Sequence, residues 1–399
     1  MSTLDSGKDG NQKLSAQWES MDLAGVVVGE TAISDVDGIA GTLSYRGRSI
    51  ESLASQPFLS VVELLLHGGT DESGARHQAL SAFIREQRHL SAVELALVTA
   101  LPTDLHPMLA LQALVPTLST TLFEGPGPDP LCGAGVGDGA IEGKVLRQGL
   151  CIAAKLPTII AARHRLAQGL SVVPSSEALG LHENFLLMYH GAVPSSDQIR
   201  ILDTVQILQM EHSFNAGTFA GRVCASTQAP IASSIAASIG TLFGVLHGGA
   251  DQAALEMAMA VGSVDRAEAF VAECLKNKGK IMGMGHREYK VLDPRAAILK
   301  PMAQSLCGDG ESRTLLEILV AVEQACQRAF AANGKDIRAN VEFYKGAVFH
   351  SLGIERLDFT ALFAMARVYG YIAHYLEFAQ CSRLIRPRAR YVGPSLVQS

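Results

Sequence analysis

Residues 211–250 read EHSFNAGTFAGRVCASTQAPIASSIAASIGTLFGVLHGGA. Two histidines, His212 and His247, bracket the stretch, and between Arg222 and Asp251 there is no Asp, Glu, Lys or Arg. Ala, Gly, Ser and Thr dominate. The run delivers a histidine onto a Leu-His-Gly-Gly turn. An uncharged run of this length invites a membrane reading, since a span needs about 20 apolar residues. Gln228, Pro230, His247 and the many hydroxyls argue instead for a buried helix whose small residues permit close helix–helix contact.

The surrounding composition points the same way. The chain has 399 residues, 48% hydrophobic and only 6% aromatic, which favours packed helices over a sandwich or barrel. That length is enough to bury a large core in one to three domains. A formal net charge of -6 argues against a nucleic-acid binder, which needs a basic face to neutralise phosphates. Seven cysteines, at 132, 151, 224, 274, 307, 326 and 381, form no C-x-x-C pair and are odd in number. They read as reduced thiols of a cytoplasmic protein, neither a disulfide frame nor a zinc site. The N-terminus is polar up to about Trp18, has no apolar signal core and reads as a disordered tail.

In chain order, 31–36 and 42–45 flank Asp37-Gly38 and predict a short hairpin. The pattern then turns helical. Ser60 and Glu63 predict a capping box ahead of LLLHGG, with Gly68 closing the helix, and Ser91 with Glu94 repeats the device. Residues 124–143 are the clearest loop. Their glycine spacing, and Val145 after Lys144, exclude a phosphate loop of the G-x-x-x-x-G-K-[ST] type. Helices are expected over 107–118, 144–168, 177–190, 251–261, 264–278, 296–306, 315–333 and 359–377. An irregular segment is expected at 340–346.

No G-x-S-x-G elbow and no H-E-x-x-H occur, and the histidines are too dispersed to suggest a metal site. What remains is a set of polar residues, most of them beside glycine or proline: His212; His247 in LHGG; His286 in GMGHREYK; Arg295 in DPRA; Glu342 in NVEFYKG; Arg367 in an apolar helix; and Arg386 in LIRPRARY. Burying Arg367 is costly unless the guanidinium is paired or meets an anion.

These segments resemble the citrate synthase family in order and in content. The family patterns are H-E-x-N-A-S-T-F, P-L-H-G-G-A-N-E, G-x-G-H-R-x-Y-K-x-x-D-P-R, N-V-D-F-Y-S-G and N-R-L-I-R-P, and the likeness spans about residues 25–393. The resemblance implies an all-α, two-domain helical fold. A tail covers 1–24, a large helical domain 25–248 and 357–399, and a small helical domain 249–356. It also implies an obligate homodimer, or a higher homo-oligomer, with no permanently bound cofactor, no metal, and no nucleic-acid or membrane partner. Acetyl-CoA is the co-substrate and oxaloacetate the acceptor. Carried over residue by residue, His247 stabilises the enolate, His286 polarises and protonates the ketone, and Glu342 is the base. His212, Arg295 and Arg367 bind oxaloacetate carboxylates, and Arg386 reaches in from the partner subunit. Ile281, Met282, Gly283, Gly285 and Asn340 hold the CoA portion.

That chemistry suits the residue types. A thioester methyl is a very weak carbon acid, so it needs a positioned carboxylate base and a donor aimed at the oxygen where charge develops. Arginines grip carboxylates bidentately.

Several departures fall inside the motifs. Glu342 stands where the family has Asp, Ser213 where it has Glu, and Gly217 where it has Ser. Asp251-Gln252 stand for Asn-Glu, and Phe378 and Ser382 for Gln and Asn. The extra methylene of Glu342 moves the carboxylate by about 1.5 Å, and an error near 1 Å can cost on the order of a hundredfold in rate. Alternatives within this reading are a 2-methylcitrate synthase using propionyl-CoA, and a weakly active or non-catalytic homologue that binds CoA or dicarboxylates.

Overall fold

The helix Phe359–Ala379 is the axis of the fold: residues 359–374 are buried without a break. In a computed structural model, which describes residues 23, 25–69, 71–118, 143–306, 308, 310–379 and 383–394, it packs against helices Phe58–His67, Lys144–Ala167, Ser196–Gln209, Ala216–Ala225 and Ile231–Leu242. Its sequence carries apolar residues on every side, the pattern of a helix with no solvent face. Gly370 lets the preceding chain approach: a Cβ there would lie 2.3 Å from Glu211 Oε2 and 2.7 Å from the Met210 carbonyl oxygen. The segment that presents His212 is thereby laid against the central helix.

Contacts separate residues 1–32 from a compact unit of residues 33–399. In the first unit the described residues 25–32 are extended or bent, with Val26, Val27 and Val28 exposed. The second unit opens with a small antiparallel sheet. Ser34–Asp37 pairs with Thr42–Tyr45, as the Asp37-Gly38 turn predicts, and Thr42–Tyr45 pairs in turn with a short third strand, Arg48–Ser49. The Asp37 carboxylate accepts the N–H groups of Ile39 and Ala40 at 2.8 Å and fixes the turn. The rest of the named elements are helical.

The helix Lys144–Ala167 is long and apolar enough to cross a membrane, but its residues 148–163 are buried among the other helices. The uncharged run of 223–250 holds the end of one helix and the whole of a second, followed by a turn. Ala216–Ala225 and Ile231–Leu242 pack antiparallel, Ser234 Oγ donating to the Gly221 carbonyl at 2.8 Å. Gln228, at φ 61°, and Pro230 break the run between them.

Most helix signals hold, with shifted ends. Ser91 and Glu94 cap each other reciprocally. Gly68 closes Phe58–His67 in the left-handed conformation. Ser60 caps nothing, because that helix starts two residues earlier, after Pro57. The segment expected to be irregular at 340–346 is the start of the helix Val341–Ser351, with the Asn340 side chain accepting the Glu342 N–H at 3.0 Å. The glycine-rich loop of 124–143 and the N-terminal tail up to Trp18 lie outside the described residues, Gly143 excepted. The helices Ala250–Val261, Pro294–Leu306, Glu311–Ala331 and Val341–Ser351 pack on one another.

Candidate functional site

His212, buried after the helix Ser196–Gln209, is 3.2 Å from the Tyr289 hydroxyl through Nε2. Its ring centre is 5.4 Å from that of His286, which in turn is 4.7 Å from Tyr289. The His286 loop is held from two sides. His286 Nδ1 accepts the Glu288 N–H at 3.0 Å and the Tyr289 N–H at 3.2 Å. Lys290 N–H donates at 2.7 Å to the carbonyl of Gly38 in the N-terminal turn. Two backbone donors on Nδ1 assign the remaining proton of a neutral ring to Nε2.

Arg295 opens the helix Pro294–Leu306 and is fully buried with Asp293. Its Nε and Nη2 donate to the two carboxylate oxygens at 3.0 and 2.8 Å. Its Nη2 also lies 3.4 Å from His286 Nε2. Arg295 therefore enters the site as half of an ion pair. Asp293 additionally accepts the Val341 N–H at 3.1 Å, which ties this pair to the helix carrying Glu342.

His247 sits in the turn between Ile231–Leu242 and Ala250–Val261. Thr360 Oγ1, on the central helix, donates to the Gly248 carbonyl at 3.1 Å and anchors that turn. His247 Nε2 is 3.3 Å from the Gly217 N–H and 3.2 Å from Asn215 Oδ1. Gly217 is required by its neighbour: a Cβ there would lie 2.5 Å from the Tyr371 hydroxyl. The departure from Ser at this position thus has a steric cause.

Arg367, 1% exposed, donates through Nε to the Gln209 carbonyl at 2.7 Å and stacks on Phe363, with its guanidinium carbon 4.6 Å from the ring centre. Its Nη1 is buried with no hydrogen-bond partner among the described residues. Phe363 also borders His247, at 6.5 Å between ring centres, and Lys345, whose Nζ is 4.0 Å from the ring centre.

Glu342 lies on the first turn of its helix, and Lys345 one turn later. The Lys345 ammonium is 2.5 Å from Glu342 Oε2, 3.2 Å from Asp251 Oδ2 and 3.1 Å from Gln209 Oε1. Burial pushes the Asp251 carboxyl above the usual carboxylate range; Lys345 pulls against this and the Glu342 charge adds to it.

The segment 281–285 pairs back to back with 338–340. Gly285 N–H donates to the Arg338 carbonyl at 2.8 Å, Asn340 N–H to the Gly283 carbonyl at 2.9 Å and Asn340 Nδ2 to the Gly285 carbonyl at 2.8 Å. Ile281, Met282, Gly283, Gly285 and Asn340 are thus brought together. A cleft of about 280 Å³ opens beside them, lined in part by Met284, His286, Lys290, Asp293 and Arg338.

Electrostatics keep the imidazoles neutral near pH 7. Burial, then Arg367, lowers His247 to about 4. Burial, then Arg295, lowers His286 to about 4. His212 is pushed well below its ordinary value by burial, Arg295 and His286. Each ring can therefore offer one N–H and one lone pair.

Of the residues named from the sequence, only Arg386 stands apart. It is exposed, and its Nη1 donates to the Pro387 carbonyl at 2.7 Å. Four contributors were missed: Tyr289, Phe363, Gln209 and Lys345. Tyr289 lies inside the G-x-G-H-R-x-Y-K pattern, and Lys345 replaces the Ser of N-V-D-F-Y-S-G, so both were discoverable. Phe363 and Gln209 lie in no motif.

A family model described as "Citrate synthase, C-terminal domain" matches residues 22–388. The chain is 36% identical over 372 residues to a citrate synthase of Synechocystis sp., covering 93% of this chain and 90% of the relative. It is 34% identical over 373 residues to a 2-methylcitrate synthase of Mycobacterium tuberculosis, covering 93% and 90%. The fold superposes, with a TM-score of 0.85 and 26% identity over 95% of this chain and 97% of the other, on a citrate synthase from Thermoplasma acidophilum in ternary complex with carboxymethyl coenzyme A and oxaloacetate.

Proposed function

The chain belongs to the citrate synthase family of acyltransferases, and from that premise we propose that it condenses acetyl-CoA with oxaloacetate and water to citrate and CoA. One observation carries this reading. Three neutral imidazoles, a carboxylate and a buried guanidinium with an unpartnered N–H converge from separate segments around Phe363, Tyr289 and Asp293. A buried cation with an open donor is stabilised by an anion that brings a matching acceptor.

In this mechanism Glu342 takes a proton from the thioester methyl. His247 donates to the developing enolate oxygen. Its Nε2 faces both a donor, the Gly217 N–H, and an acceptor, Asn215 Oδ1, so the donated proton sits on Nδ1 in the tautomer paired with Gly217 and on Nε2 in the one paired with Asn215. The enolate carbon attacks the oxaloacetate ketone while His286 Nε2–H hydrogen-bonds the ketone oxygen and protonates it. Water then cleaves citryl-CoA. His212, Arg295 and Arg367 receive the carboxylates, Arg295 with its charge already shared with Asp293. The paired segments 281–285 and 338–340 cradle the CoA portion with Asn340. Residues 249–356 act as a small domain that closes on the large one and excludes water from the enolate. Arg386 completes the site of a partner subunit in a homodimer, which is why it meets no site residue of its own chain. The protein works in the cytoplasm.

A second reading, 2-methylcitrate synthesis from propionyl-CoA, is supported by the 34% identity to the Mycobacterium tuberculosis enzyme. Thiol release with acetyl-, propionyl- and longer acyl-CoAs in the presence of oxaloacetate tests both. The highest kcat/KM with acetyl-CoA is the expected result. No release with any of them, despite oxaloacetate binding, would leave a non-catalytic binding protein.

A further inference from the structure

Lys345 has no place in the roles just given, yet it is fully buried beside Glu342. An ammonium has three N–H donors and no acceptor. Here three oxygens from three helices lie within 3.2 Å of Nζ: Gln209 Oε1 accepts a hydrogen bond, and Glu342 Oε2 and Asp251 Oδ2 are held as ion pairs without hydrogen-bond alignment. Glu342 precedes Lys345 by one turn, Gln209 ends the helix Ser196–Gln209, and Asp251 lies in the first turn of Ala250–Val261. The Gln209 amide is itself fixed: its Nε2 donates to Gln206 Oε1 at 3.0 Å and to the Leu362 carbonyl at 3.3 Å, which turns Oε1 towards the lysine. The face of Phe363 closes the remaining side. The ammonium is therefore positioned by tertiary structure. Of its two carboxylate partners, Asp251 is 0% exposed and only Glu342, at 12%, reaches the surface of the site.

We propose that Lys345 is a positioning residue for Glu342. It clamps Oε2 and draws the longer side chain back along its own helix, leaving Oε1 as the proton acceptor. This rests on the reading of Glu342 as the base. In the step itself the methyl C–H bond breaks, the proton passes to Oε1 and the electron pair becomes the enolate, while Lys345 keeps its protons and charge. Asp251 has a part in the balance. One ammonium and two carboxylates carry one net negative charge, and protonating Glu342 brings the buried cluster to neutrality. The Asp-to-Glu, Ser-to-Lys and Asn-to-Asp departures from the family patterns meet in this one cluster.

The test measures kcat and KM by thiol release from acetyl-CoA with oxaloacetate, on full-length variants whose folding is checked by thermal melting. Glu342→Gln is expected to lower kcat by roughly 10²–10⁴-fold. Glu342→Asp alone retracts the carboxylate onto Lys345 and lowers kcat by about tenfold to a hundredfold, with KM for oxaloacetate held. Lys345→Ser/Asp251→Asn, which removes one charge of each sign, gives a kcat loss of similar size. The triple variant Glu342→Asp/Lys345→Ser/Asp251→Asn restores most of it. A Glu342→Gln enzyme with near-normal kcat overturns the base reading and this inference together. If Glu342→Gln is inactive, the base reading stands. In that case a folded Lys345→Ser/Asp251→Asn enzyme with unchanged kcat, a Glu342→Asp enzyme as fast as the parent, or a triple variant without rescue each overturns the positioning role alone.

Discussion

Two long basic side chains are buried on two different helices, and their donors are used differently. Arg367, in the middle of Phe359–Ala379, has one donor on a backbone carbonyl, an aromatic face beneath it and a buried N–H with no acceptor among the described residues. Lys345, in Val341–Ser351, has oxygens from Glu342, Asp251 and Gln209 within reach of its ammonium. Both sit over the same phenylalanine ring. An incompletely paired guanidinium is poised to receive an anion from outside. An ammonium that already faces two carboxylates and an amide oxygen has its counter-charge in place and organises what surrounds it. On the proposed mechanism the difference separates a residue that receives substrate from one that holds another residue in place, although both are buried cations.

The comparison can be broken by removing each cation in turn. Lys345→Met should have the largest effect, on stability. It leaves Asp251 and Glu342 facing each other without a counter-charge, and breaking a buried pair costs about 3–5 kcal/mol. Adding Asp251→Asn should recover much of the melting temperature; if it does not, Lys345 contributes packing and not charge compensation. Arg367→Met should come next and should act on substrate. Loss of one charged hydrogen-bonding group is worth about 1.5–3 kcal/mol, so KM for oxaloacetate should rise roughly tenfold to a hundredfold, with a smaller drop in melting temperature than Lys345→Met. An unchanged KM would remove the distinction between the two cations.

Two further measurements sharpen the surroundings. Gly217→Ser forces a side chain against the Tyr371 hydroxyl and should destabilise by about 1–3 kcal/mol; pairing it with Tyr371→Phe should return part of that loss and the geometry at His247. The last effect, spread over several pH units, concerns acid. His247 and His286 fall to about 4 in the folded protein, against an ordinary value of 6.5. Between those values the unfolded chain binds more protons, so the stability they contribute is fully present above pH 6.5 and is lost as pH falls towards 4. The melting temperature should decline over that window, and a His247→Gln/His286→Gln variant should decline less.

The helical class and most elements were legible because they depend on near neighbours. Ser91 with Glu94, the Asp37-Gly38 turn and Gly68 each act over a few residues. The motifs around His212, His247, His286 and Arg295 were legible for a related reason: each is a short contiguous segment presented on a turn or at a helix end. The break inside 223–250 was missed because small uncharged residues suit one long helix or two close-packed ones equally well, although Pro230 was in view. The helical start at Val341 was missed because the Asn340 cap was read as part of a loop.

By itself, then, the sequence determined a helical protein with a small N-terminal hairpin, and the identity of the residues able to do acid–base and anion chemistry. Tertiary structure decided how those residues are set. It placed Asp293 across Arg295, the Gly217 N–H on His247, and Asp251 and Gln209 around Lys345. The reason is physical. Helix and turn preferences follow from backbone geometry and contacts between near neighbours. The charge of a buried group depends on which distant side chains supply its counter-charge once water is gone, and only the packing of separate helices specifies those.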